Sequence, residues 1–565
     1  MKTDAQDLAV EARCARLPDN IADAVACHAR ERPHAPALIE HNTGEVVSWR
    51  ALDRAVEALA AKLLSAGYRQ GDVIATSLPL LKEHVYLILA CYRIGVVIAP
   101  LDLRLRAGEL KACFEKLRPR GYFFAGAPAL LPVLREVVGA DPGVRHWVQL
   151  QKEPAGILPG AVWARTFFRD VARRFLVSRL TGAVRRARRR VARRDGALVI
   201  FTTGSTGSPK AALLCHEGIL TQNAGLAVGF GLRDDDRLLV NLPPSHVGCT
   251  TELLGTALYQ GITSVLLHIF DAEKSLEAIA RHRVTVVGQI PALFNLEWNH
   301  RRYGELDHGS LRLAIYGGQA VPRAFLDRLA AMAPGIGTGL GLTETSGFCT
   351  YTALGATPEA LAGGIGFDMP RCPISIRAPM EADGSAGAVL PPGELGEVCF
   401  SGPQLFLGYL ADPEATARAL STDGVLYTGD LGTYGPGGLA LAGRVKLTIK
   451  PKGFQVFPGD VENHVLARLP GKAAGAACVG AEHAVWVEAI VLFVEATADG
   501  SLTPEEVREA CAGMASYARP SHVEVLPPGT LPQNRVAKTD YLALKERAAE
   551  LVAGLRAEGR WDGRA

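Results

Sequence analysis

The sequence lacks the features that mark secreted, membrane-spanning and strongly charged proteins. Its 11 cysteines include no C-x-x-C pair, and an odd number of scattered cysteines fits free thiols in a reducing compartment better than a disulfide framework. The most apolar stretch, YLILACYRIGVVIAP, contains Arg93 and is too short to cross a bilayer, so it predicts a buried helix that runs into a strand. The formal net charge of +3 gives no overall preference for nucleic acid or membranes.

What is present is ample material for folded cores. Of the 565 residues, 48% are hydrophobic and 21% are charged, which are ordinary values for a globular protein. One hydrophobic core supports roughly 250 to 300 residues, so we expect several subdomains. The first residues, MKTDAQDLAVEARCARL, carry acids and no continuous apolar core, unlike a secretory signal. Together with the cysteine usage, this predicts a cytoplasmic protein, and no nucleic acid partner is expected.

Helix-like and strand-like segments alternate along the first part of the chain. ALDRAVEALAAKLLSAG has helical apolar spacing and ends in Gly67, whereas DVIATSL is strand-like. The alternation continues with strand-like LLVNLPP, SVLLHIF and VTVVGQI and with helix-like EKSLEAIARHRV and RAFLDRLAAMAP. Such a pattern predicts parallel sheets covered by helices on both faces, with ligand sites at the carboxyl ends of the strands.

The pattern changes after residue 390 to short segments with turn glycines. GELGEVCFSG, YLADPEATARAL and GVLYTGDLG are interpreted as strand-like, which predicts a smaller β-rich unit. A boundary near Gly443 to Lys446 precedes a final segment of about a hundred residues, a normal size for a small domain. We therefore expect an N-terminal domain over residues 1–442, a hinge over 443–447 and a C-terminal domain over 448–565.

A run of small polar residues, FTTGSTGSPK at positions 201–210, follows the strand-like ALVIF. Glycines let backbone amides approach a ligand, hydroxyls add donors and Lys210 adds a positive charge, so the run suits an anion such as phosphate. Its spacing is not that of a Walker loop. The same composition is also typical of a flexible turn, and the run alone does not separate the two interpretations.

The segment 165–194 contains 12 arginines, no lysine and a single acid, Asp170. Four apolar side chains fall at helical spacing between the arginines: Phe168, Val171, Phe175 and Leu176. This spacing predicts a basic amphipathic helix whose partner would be anionic lipid, an acidic carrier protein or nucleic acid. The alternative is a solvated charge run with no partner, inserted before the polar run.

Four further motifs follow in order along the chain. They are GLGLTETSG at 339–347, YTGDLG at 427–432, GRVKLTIKPKGFQVFPGDVEN at 443–463 and LPQNRVAKTD at 531–540. Together with the polar run, they resemble the core motifs of the adenylate-forming superfamily of acyl-CoA synthetases, peptide-synthetase adenylation domains and luciferases. The segment SWRALDRAVEALAAKLLSAGYRQGDVIA also resembles the start of that family, so the resemblance covers nearly the whole chain.

The resemblance implies an α/β fold with a large N-terminal domain of two α/β subdomains plus a β-rich subdomain, and a small, mobile α+β C-terminal domain. It also implies an ATP-dependent acid-thiol ligase that uses Mg²⁺, forms an acyl-adenylate and then a thioester with CoA. The wording IKPKGFQV is closer to the fatty-acyl, coumaroyl and luciferase branch than to peptide-synthetase domains. Two alternatives stay open: an adenylating ligase that loads a carrier protein or an amine, and a catalytically weak scaffold that binds anionic surfaces.

The same resemblance implies residues for nucleotide binding and catalysis. Thr343 would contact the α-phosphate, Glu344 would offer an oxygen ligand to Mg²⁺, and Lys538 would be the catalytic lysine that offsets charge on the carboxylate and the phosphate. Asp430 would bind the ribose hydroxyls, with Arg444 beside it. ATP would also contact residues of the polar run and of YGGQAVP, namely Thr202, Thr203, Gly204, Ser205, Thr206, Gly207, Lys210, Gly318 and Gln319.

The acyl group would bind between NLPPSHVGCTTELLGTALYQG and YGGQAVP. The residues implied for this pocket are His246, Thr251, Tyr316, Gly317 and Gly341. His246 is either a gating histidine or a core histidine with satisfied hydrogen bonds. No aspartate is present there to pair with an α-ammonium group, so we expect an aryl or medium-sized acyl acid rather than an ordinary amino acid.

Thioester formation needs other groups, which the family supplies by rotating the C-terminal domain. Lys446 occupies the position that resembles the hinge, where the requirement is only a residue that tolerates a large change in backbone angles. After rotation, Lys450 would lie close to the adenylate and act in catalysis. Gly453 would leave room for the pantetheine arm of CoA.

Overall fold

The computed structural model of the chain describes residues 3–141, 143–151, 156–202, 209–498, 501–534 and 538–562. One large sheet is parallel apart from one antiparallel edge. Its described strands are, in spatial order, Gly408–Tyr409, Lys210–Cys215, Gly196–Thr202, Val97–Pro100, Val73–Ser77, Gly121–Phe124, His146–Gln149 and Val162–Trp163.

A second large sheet is parallel except where its last strand pairs antiparallel at the edge. Its described strands are, in spatial order, Gly335–Thr338, Leu313–Tyr316, Val286–Gln289, Arg237–Val240, Thr263–Leu266, Pro36–Glu40 and Val46–Ser48.

Helices fill the connections between these strands. They span Asp4–Cys14, Ile21–Glu31, Trp49–Ser65, Lys82–Ile94, Ala107–Leu117, Leu131–Val137, Ala164–Phe167, Val171–Thr181, Ala183–Arg188, His216–Gly229, Thr256–Gln260, Ala272–His282, Pro291–Trp298, Arg323–Met332 and Pro358–Ala362, with a π-helix at Gly248–Gly255. Alternate residues of the strand Gly196–Thr202 join different apolar clusters, Leu198 and Ile200 one cluster and Val199 another. Both faces of that sheet are therefore covered, as the alternating sequence predicts.

A smaller antiparallel sheet and a C-terminal α+β unit complete the chain. The sheet consists of Ile374–Arg377, Gly396–Phe400, Leu426–Gly435 and Gly438–Arg444. The C-terminal unit has three described strands, Ala473–His483, Val487–Ala496 and His522–Leu526, packed with helices Pro458–Arg468, Pro504–Cys511 and Tyr541–Ala557. The predicted α/β fold with a large N-terminal and a small C-terminal part is thus confirmed.

Most of the elements predicted from the alternation are present, with one error. The helix predicted up to Gly67 spans Trp49–Ser65, and the segment DVIATSL forms the strand Val73–Ser77. YLADPEATARAL, interpreted as strand-like, instead contains the helix Pro413–Ala419. The reason is local, because Asp412 caps this helix by accepting from the Ala415 amide at 3.0 Å and proline suits the first helical position.

The apolar stretch around Arg93 is a buried helix followed by a strand, as predicted. Arg93 is almost fully buried because its guanidinium donates to Asp53 Oδ1 at 2.7 Å and to the carbonyl of Ala22 at 2.8 Å. Over the described ranges, no helix combines the length and the apolar character needed to cross a membrane.

The arginine-rich segment forms short helices rather than one long helix. Ala164–Phe167, Val171–Thr181 and Ala183–Arg188 follow one another, and Gly182 between the last two has a left-handed backbone with φ +68°. Asp170 anchors the segment to the helix Trp49–Ser65, since Lys62 donates to its Oδ1 at 2.6 Å.

Candidate active site

A tight turn carries the Thr-Glu pair of GLGLTETSG, which is Thr343 and Glu344. The short strands Gly341–Leu342 and Gly347–Phe348 form a hairpin, and the 3₁₀ turn Thr343–Thr345 lies at its tip. Gln404 fixes this hairpin, because its buried Nε2 donates to the carbonyl of Thr345 at 2.9 Å and to that of Phe348 at 2.7 Å. The turn is therefore held by the β-rich part of the chain.

Glu344 belongs to a contact group with a tyrosine and a lysine. The hydroxyl of Tyr409 donates to Glu344 Oε1 at 2.6 Å, and Lys210 Nζ lies 4.8 Å from the centre of the Tyr409 ring. Burial and the positive charge of Lys446 lower the pKa of Lys210, whereas Glu344 raises it. The structure thus brings the predicted residues Lys210, Glu344 and Lys446 together, and adds Tyr409, which the sequence did not single out.

The motif YTGDLG directs an aspartate into the same region. Gly429 has φ +75° and its amide donates to Glu397 Oε1 at 2.8 Å, at a point where the strand register shifts. The following residue, Asp430, is buried and accepts from Arg444 Nε at 2.8 Å. Burial raises the pKa of Asp430, while the charges of Arg444 and Lys538 act in the opposite direction. Arg444 itself is half exposed, so Asp430 faces the cleft with a charged neighbour.

Lys538 reaches this cleft from the C-terminal part of the chain. Its Nζ lies 4.0 Å from the point that a Cβ on Gly318 would occupy, and Gly318 has φ +95°. Lys538 keeps an exposed part, but loss of hydration beside its neighbours is the main cause that lowers its pKa, followed by the charge of Arg444, whereas Asp430 and Glu252 raise it. The structure therefore joins Lys538, Gly318, Asp430 and Arg444 in one site, and Gln319 follows Gly318 as an exposed residue.

Several residues predicted for the acyl pocket lie around the same cavity. A Cβ on Gly317 would lie 3.1 Å from the ring of Phe348, so the strand end and the hairpin are in close contact. His246 Nδ1 accepts from the Gly248 amide at 3.0 Å, and burial with the nearby charge of Lys538 lowers the pKa of His246 to about 4. His246 is thus neutral at pH 7, with one ring nitrogen bonded to the Gly248 amide.

Two other residues predicted for this pocket use their side chains elsewhere. The ring of Tyr316 packs against Phe325 in the core, with ring centres 5.6 Å apart. The hydroxyl of Thr251 donates at 2.9 Å to the carbonyl of Val247, the residue that precedes its helix, and Thr251 is fully buried. Gly341, by contrast, is exposed in the cleft.

Glu252 is a residue that the sequence interpretation missed. It lies in the π-helix Gly248–Gly255, and its Oε1 is 3.0 Å from the point that a Cβ on Gly341 would occupy. Burial raises the pKa of Glu252 to about 7, against a backbone hydrogen bond from Phe348 and the charge of Lys538. The sequence does contain a feature that could have indicated it, because Glu252 is the one acid in the acyl-pocket segment NLPPSHVGCTTELLGTALYQG, which has no lysine or arginine.

The described contacts of the motif KPKGF are with the C-terminal unit. The Lys450 amide donates to Glu488 Oε2 at 2.6 Å, and Lys450 is exposed. Gly453 has φ +83°, and the space where its Cβ would lie is open. None of the described hydrogen bonds or ion pairs of Lys450 involves Asp430, Glu344 or Lys538. The site thus contains Lys538 and not Lys450.

Most of the polar run, residues 203–208, lies outside the described residues. Five residues predicted to bind ATP fall in this gap: Thr203, Gly204, Ser205, Thr206 and Gly207. Its ends are described. Thr202 closes one strand and pairs in register with Lys210 at the start of the next, so the run connects two neighbouring antiparallel strands. Lys210 is thereby held beside Tyr409 and the hairpin.

Comparison with known proteins agrees with the motifs and the fold. Residues 25–410 match the AMP-binding enzyme family, and residues 461–538 match the AMP-binding enzyme C-terminal domain. The chain therefore belongs to the AMP-binding enzymes, the adenylate-forming superfamily.

Individual relatives are named for CoA ligases. A feruloyl-CoA synthase of Amycolatopsis sp is 31% identical over 477 residues, which cover 84% of this chain and 88% of the relative. The 4-coumarate--CoA ligase 5 of Oryza sativa subsp. japonica is 27% identical over 567 residues, 96% of each chain. A crystal structure of the anthranilate CoA ligase AuaEII with anthranoyl-AMP has the same fold, with a TM-score of 0.80 at 21% identity over 96% of this chain and all of the other.

Proposed function

We propose that the protein is an ATP-dependent carboxylic acid:CoA ligase that acts through an acyl-adenylate. The observation that carries this proposal is the position of Lys538, which the C-terminal part delivers into the cleft formed by Gly318, Asp430 and the Thr343–Thr345 turn. The family membership and the names of the relatives support the same activity. The relatives named for feruloyl and coumaroyl acids support an aryl acid as the substrate class.

In the first step, a carboxylate oxygen of the acid attacks the α-phosphorus of ATP and pyrophosphate leaves. Negative charge builds up on the α-phosphate oxygens, and Lys538 would offset it while Thr343 would donate its hydroxyl. Asp430 would accept hydrogen bonds from the ribose hydroxyls, and its pairing with Arg444 keeps the carboxylate oriented. Lys210 and the polar run would hold the departing phosphates.

Glu344 fits the requirements of a magnesium ligand. Mg²⁺ is commonly bound by one or two carboxylates together with substrate phosphates and water rather than by a protein cage. The described residues contain no cluster of three or more potential metal ligands. A bound ion would supply positive charge that neutralises the phosphates. Tyr409, which donates to Glu344, would orient the carboxylate towards it.

In the second step, the CoA thiolate attacks the acyl carbon and AMP leaves, with the thiol proton passing to solvent. We propose that residues 448–565 rotate about a hinge at 443–447 for this step, because Lys538 lies beside Gly318 while the Lys450 amide is bonded to Glu488 of the C-terminal unit. Rotation would withdraw Lys538 and bring Lys450 to the adenylate and Gly453 beside the pantetheine arm of CoA. The free cysteines and the need for ATP and CoA support a cytoplasmic location.

We also propose that the segment 165–194 docks the protein onto an anionic lipid surface. Arg174, Arg188, Arg193 and Arg194 pair with carboxylates of the protein. The other eight arginines have no ion-pair partner within the described chain, namely Arg165, Arg169, Arg173, Arg179, Arg185, Arg186, Arg189 and Arg190. They leave an uncompensated basic surface.

Two exposed leucines lie between these arginines on the helix Val171–Thr181. Leu176 is 61% exposed and Leu180 is 88% exposed, one helical turn apart on Val171–Thr181. A bilayer surface matches both features, because headgroup phosphates attract arginine and the acyl boundary accepts leucine. An acidic protein would match the charges alone, so we favour the lipid surface.

The proposed activity is tested with ATP, Mg²⁺, CoA and a panel of aryl and medium-chain acids. We expect acid-dependent formation of AMP and of the acyl-CoA thioester, both identified by mass spectrometry. AMP formation with transfer to an amine or a carrier protein, and none to CoA, would refute the CoA acceptor. The absence of AMP with every acid, in a folded protein, would refute the ligase itself.

A further inference from the structure

The acyl pocket contains a carboxylate that the adenylation chemistry does not use. Glu252 Oε1 lies 3.0 Å from the points where a Cβ on Gly341 and a Cβ on Gly347 would lie. The two glycines belong to the hairpin that carries the Thr-Glu turn, so Glu252 points at this hairpin from the π-helix. Gly341 is exposed, so the Glu252 carboxylate beside it lies at the wall of the cleft that also contains Lys538.

The local helix geometry explains how the carboxylate reaches this position. Gly248–Gly255 is a π-helix, whose i→i+5 hydrogen bonds make it wider than an α-helix and which is frequent at functional sites. Gly255 permits this shape, because a Cβ there would lie 3.0 Å from the carbonyl of Thr250. The widened turn presents Glu252 to the hairpin.

A buried hydrogen-bond donor without a partner lies beside Glu252. Gln222 is fully buried, and its Nε2 has no hydrogen-bond partner within the described chain. The orientation of this amide is fixed by its neighbour: Asn223 Nδ2 donates to the carbonyl of Thr251 at 2.7 Å and to Gln222 Oε1 at 2.8 Å. Gln222 must therefore offer its oxygen to Asn223, which leaves Nε2 as the free donor.

The side-chain amide of Gln222 and the carboxylate of Glu252 lie beside the same small space. The Gln222 Cδ lies 3.3 Å, and the Glu252 Oε1 3.0 Å, from the point that a Cβ on Gly347 would occupy. A buried donor without a partner is costly, so its presence in a ligand pocket indicates that the ligand supplies the acceptor. A carboxylate has about four acceptor positions, and one backbone bond from Phe348 leaves capacity for a ligand donor.

We propose that Glu252 and Gln222 together bind a hydroxyl group carried on the acyl part of the acid substrate. A hydroxyl both donates and accepts, so it satisfies the carboxylate of Glu252 and the Nε2 of Gln222 at once. An ammonium group only donates and would leave Gln222 without a partner. This inference rests on the proposed function, since it assigns a substrate class to the same site.

The test compares acids that differ by one group. Acid-dependent exchange of pyrophosphate into ATP is measured for hydroxyl-bearing aryl and acyl acids and for their hydroxyl-free, methoxy and amino counterparts. For at least one skeleton, the wild type is expected to favour the hydroxyl acid over its hydroxyl-free counterpart by tenfold or more in kcat/KM. Glu252→Leu should bring this ratio near one while exchange with the hydroxyl-free acid continues. Gln222→Leu should lower the ratio in the same direction.

Glu462→Gln is the matched control. Glu462 is another partly buried glutamate whose pKa is raised to about 7, but it lies in the C-terminal unit, where Tyr541 donates to it. Its replacement should leave the ratio unchanged. If Glu252→Leu does not fold, the same ratio of kcat/KM is measured in Gln222→Leu and Glu252→Gln, and both should lower it.

Three results would overturn the inference. They are a wild-type ratio near one for every pair, an unchanged ratio in a folded Glu252→Leu protein, or equal preference for amino and hydroxyl acids in the wild type. A failure of the proposed function would look different, because no acid of either kind would then support exchange.

Discussion

Tyr409 and Glu344 are 65 residues apart in sequence, yet the tyrosine hydroxyl donates to Glu344 Oε1 at 2.6 Å. The carboxylate also raises the pKa of the Tyr409 phenol, after burial, so the hydroxyl keeps its proton and remains a donor. The Tyr409 ring lies below Lys210 at the same time. One side chain thus positions the two residues that we expect to contact Mg²⁺ and the phosphates.

Tyr409→Phe removes only the hydroxyl and keeps the ring under Lys210. We expect the Mg²⁺ concentration that gives half-maximal adenylation to rise by about tenfold, because residues that orient a metal ligand typically contribute 10- to 100-fold. Titration of pyrophosphate exchange with Mg²⁺ measures the effect. Tyr434→Phe, which removes the hydroxyl that donates to Asp368 outside the cleft, is the control. An unchanged Mg²⁺ requirement in Tyr409→Phe would argue against Glu344 as the ligand.

Asp430→Ala should weaken ATP binding by more than tenfold, since a hydrogen bond to a charged group contributes about 1.5 to 3 kcal/mol. Calorimetric titration with ATP measures this loss. Titration with inorganic pyrophosphate, which has no ribose, should be much less affected. An equal loss of affinity for ATP and for pyrophosphate would indicate a general disturbance of the site rather than a loss of ribose binding.

Glu252 should make the stability of the protein depend on pH. Its pKa is raised to about 7 in the folded chain, so the folded state binds a proton more tightly than the unfolded state between pH 4.5 and 7. Its contribution to the free energy of unfolding therefore falls as the pH rises through this range, by about 1.4 kcal/mol per pH unit at most. We therefore expect the Tm of Glu252→Gln minus the Tm of the wild type to be larger at pH 8 than at pH 5. A Tm difference that does not vary with pH would contradict the assigned environment.

Binding to vesicles tests the arginine-rich surface. We expect sedimentation with vesicles that contain phosphatidylserine, little with phosphatidylcholine alone, and steep loss with salt because exposed charges are screened over about 8 to 10 Å. Replacement of Arg173, Arg179, Arg185 and Arg189 by glutamine should abolish binding and keep adenylation.

The control for this experiment removes the same amount of charge elsewhere, by replacing Arg323, Arg418, Arg508 and Arg560 with glutamine. Binding that survives the first replacement would refute the docking surface. Binding only to an acidic carrier protein, and not to vesicles, would replace the lipid partner by a protein.

The sequence predicted what depends on local pattern and on motifs. The strand ALVIF, the helix Trp49–Ser65 and the buried stretch around Arg93 follow from apolar spacing, and all three are present. The helix Pro413–Ala419 was missed because its cap at Asp412 outweighed a short strand-like pattern.

The remaining features of the site depend on contacts between distant segments. Glu252 meets Gly341 and Gly347 only after the π-helix and the hairpin come together, and no spacing rule connects residues about ninety positions apart. The partnerless Nε2 of Gln222 likewise follows from packing around Asn223 rather than from local sequence. Leu176 was predicted on the apolar side of a basic helix and is exposed on Val171–Thr181, but the break of the segment into short helices at Gly182 was not predicted.

The division of work between two lysines is the most decisive point to measure. Lys538→Ala and Lys450→Ala are each assayed for pyrophosphate exchange with ATP and the preferred acid, and for thioester formation from the synthetic acyl-adenylate and CoA. We expect Lys538→Ala to abolish exchange but still form thioester, and Lys450→Ala to retain exchange but be impaired in thioester formation. Equal loss of both half-reactions in Lys538→Ala, in a protein that still binds ATP, would contradict the assignment of Lys538 to adenylation.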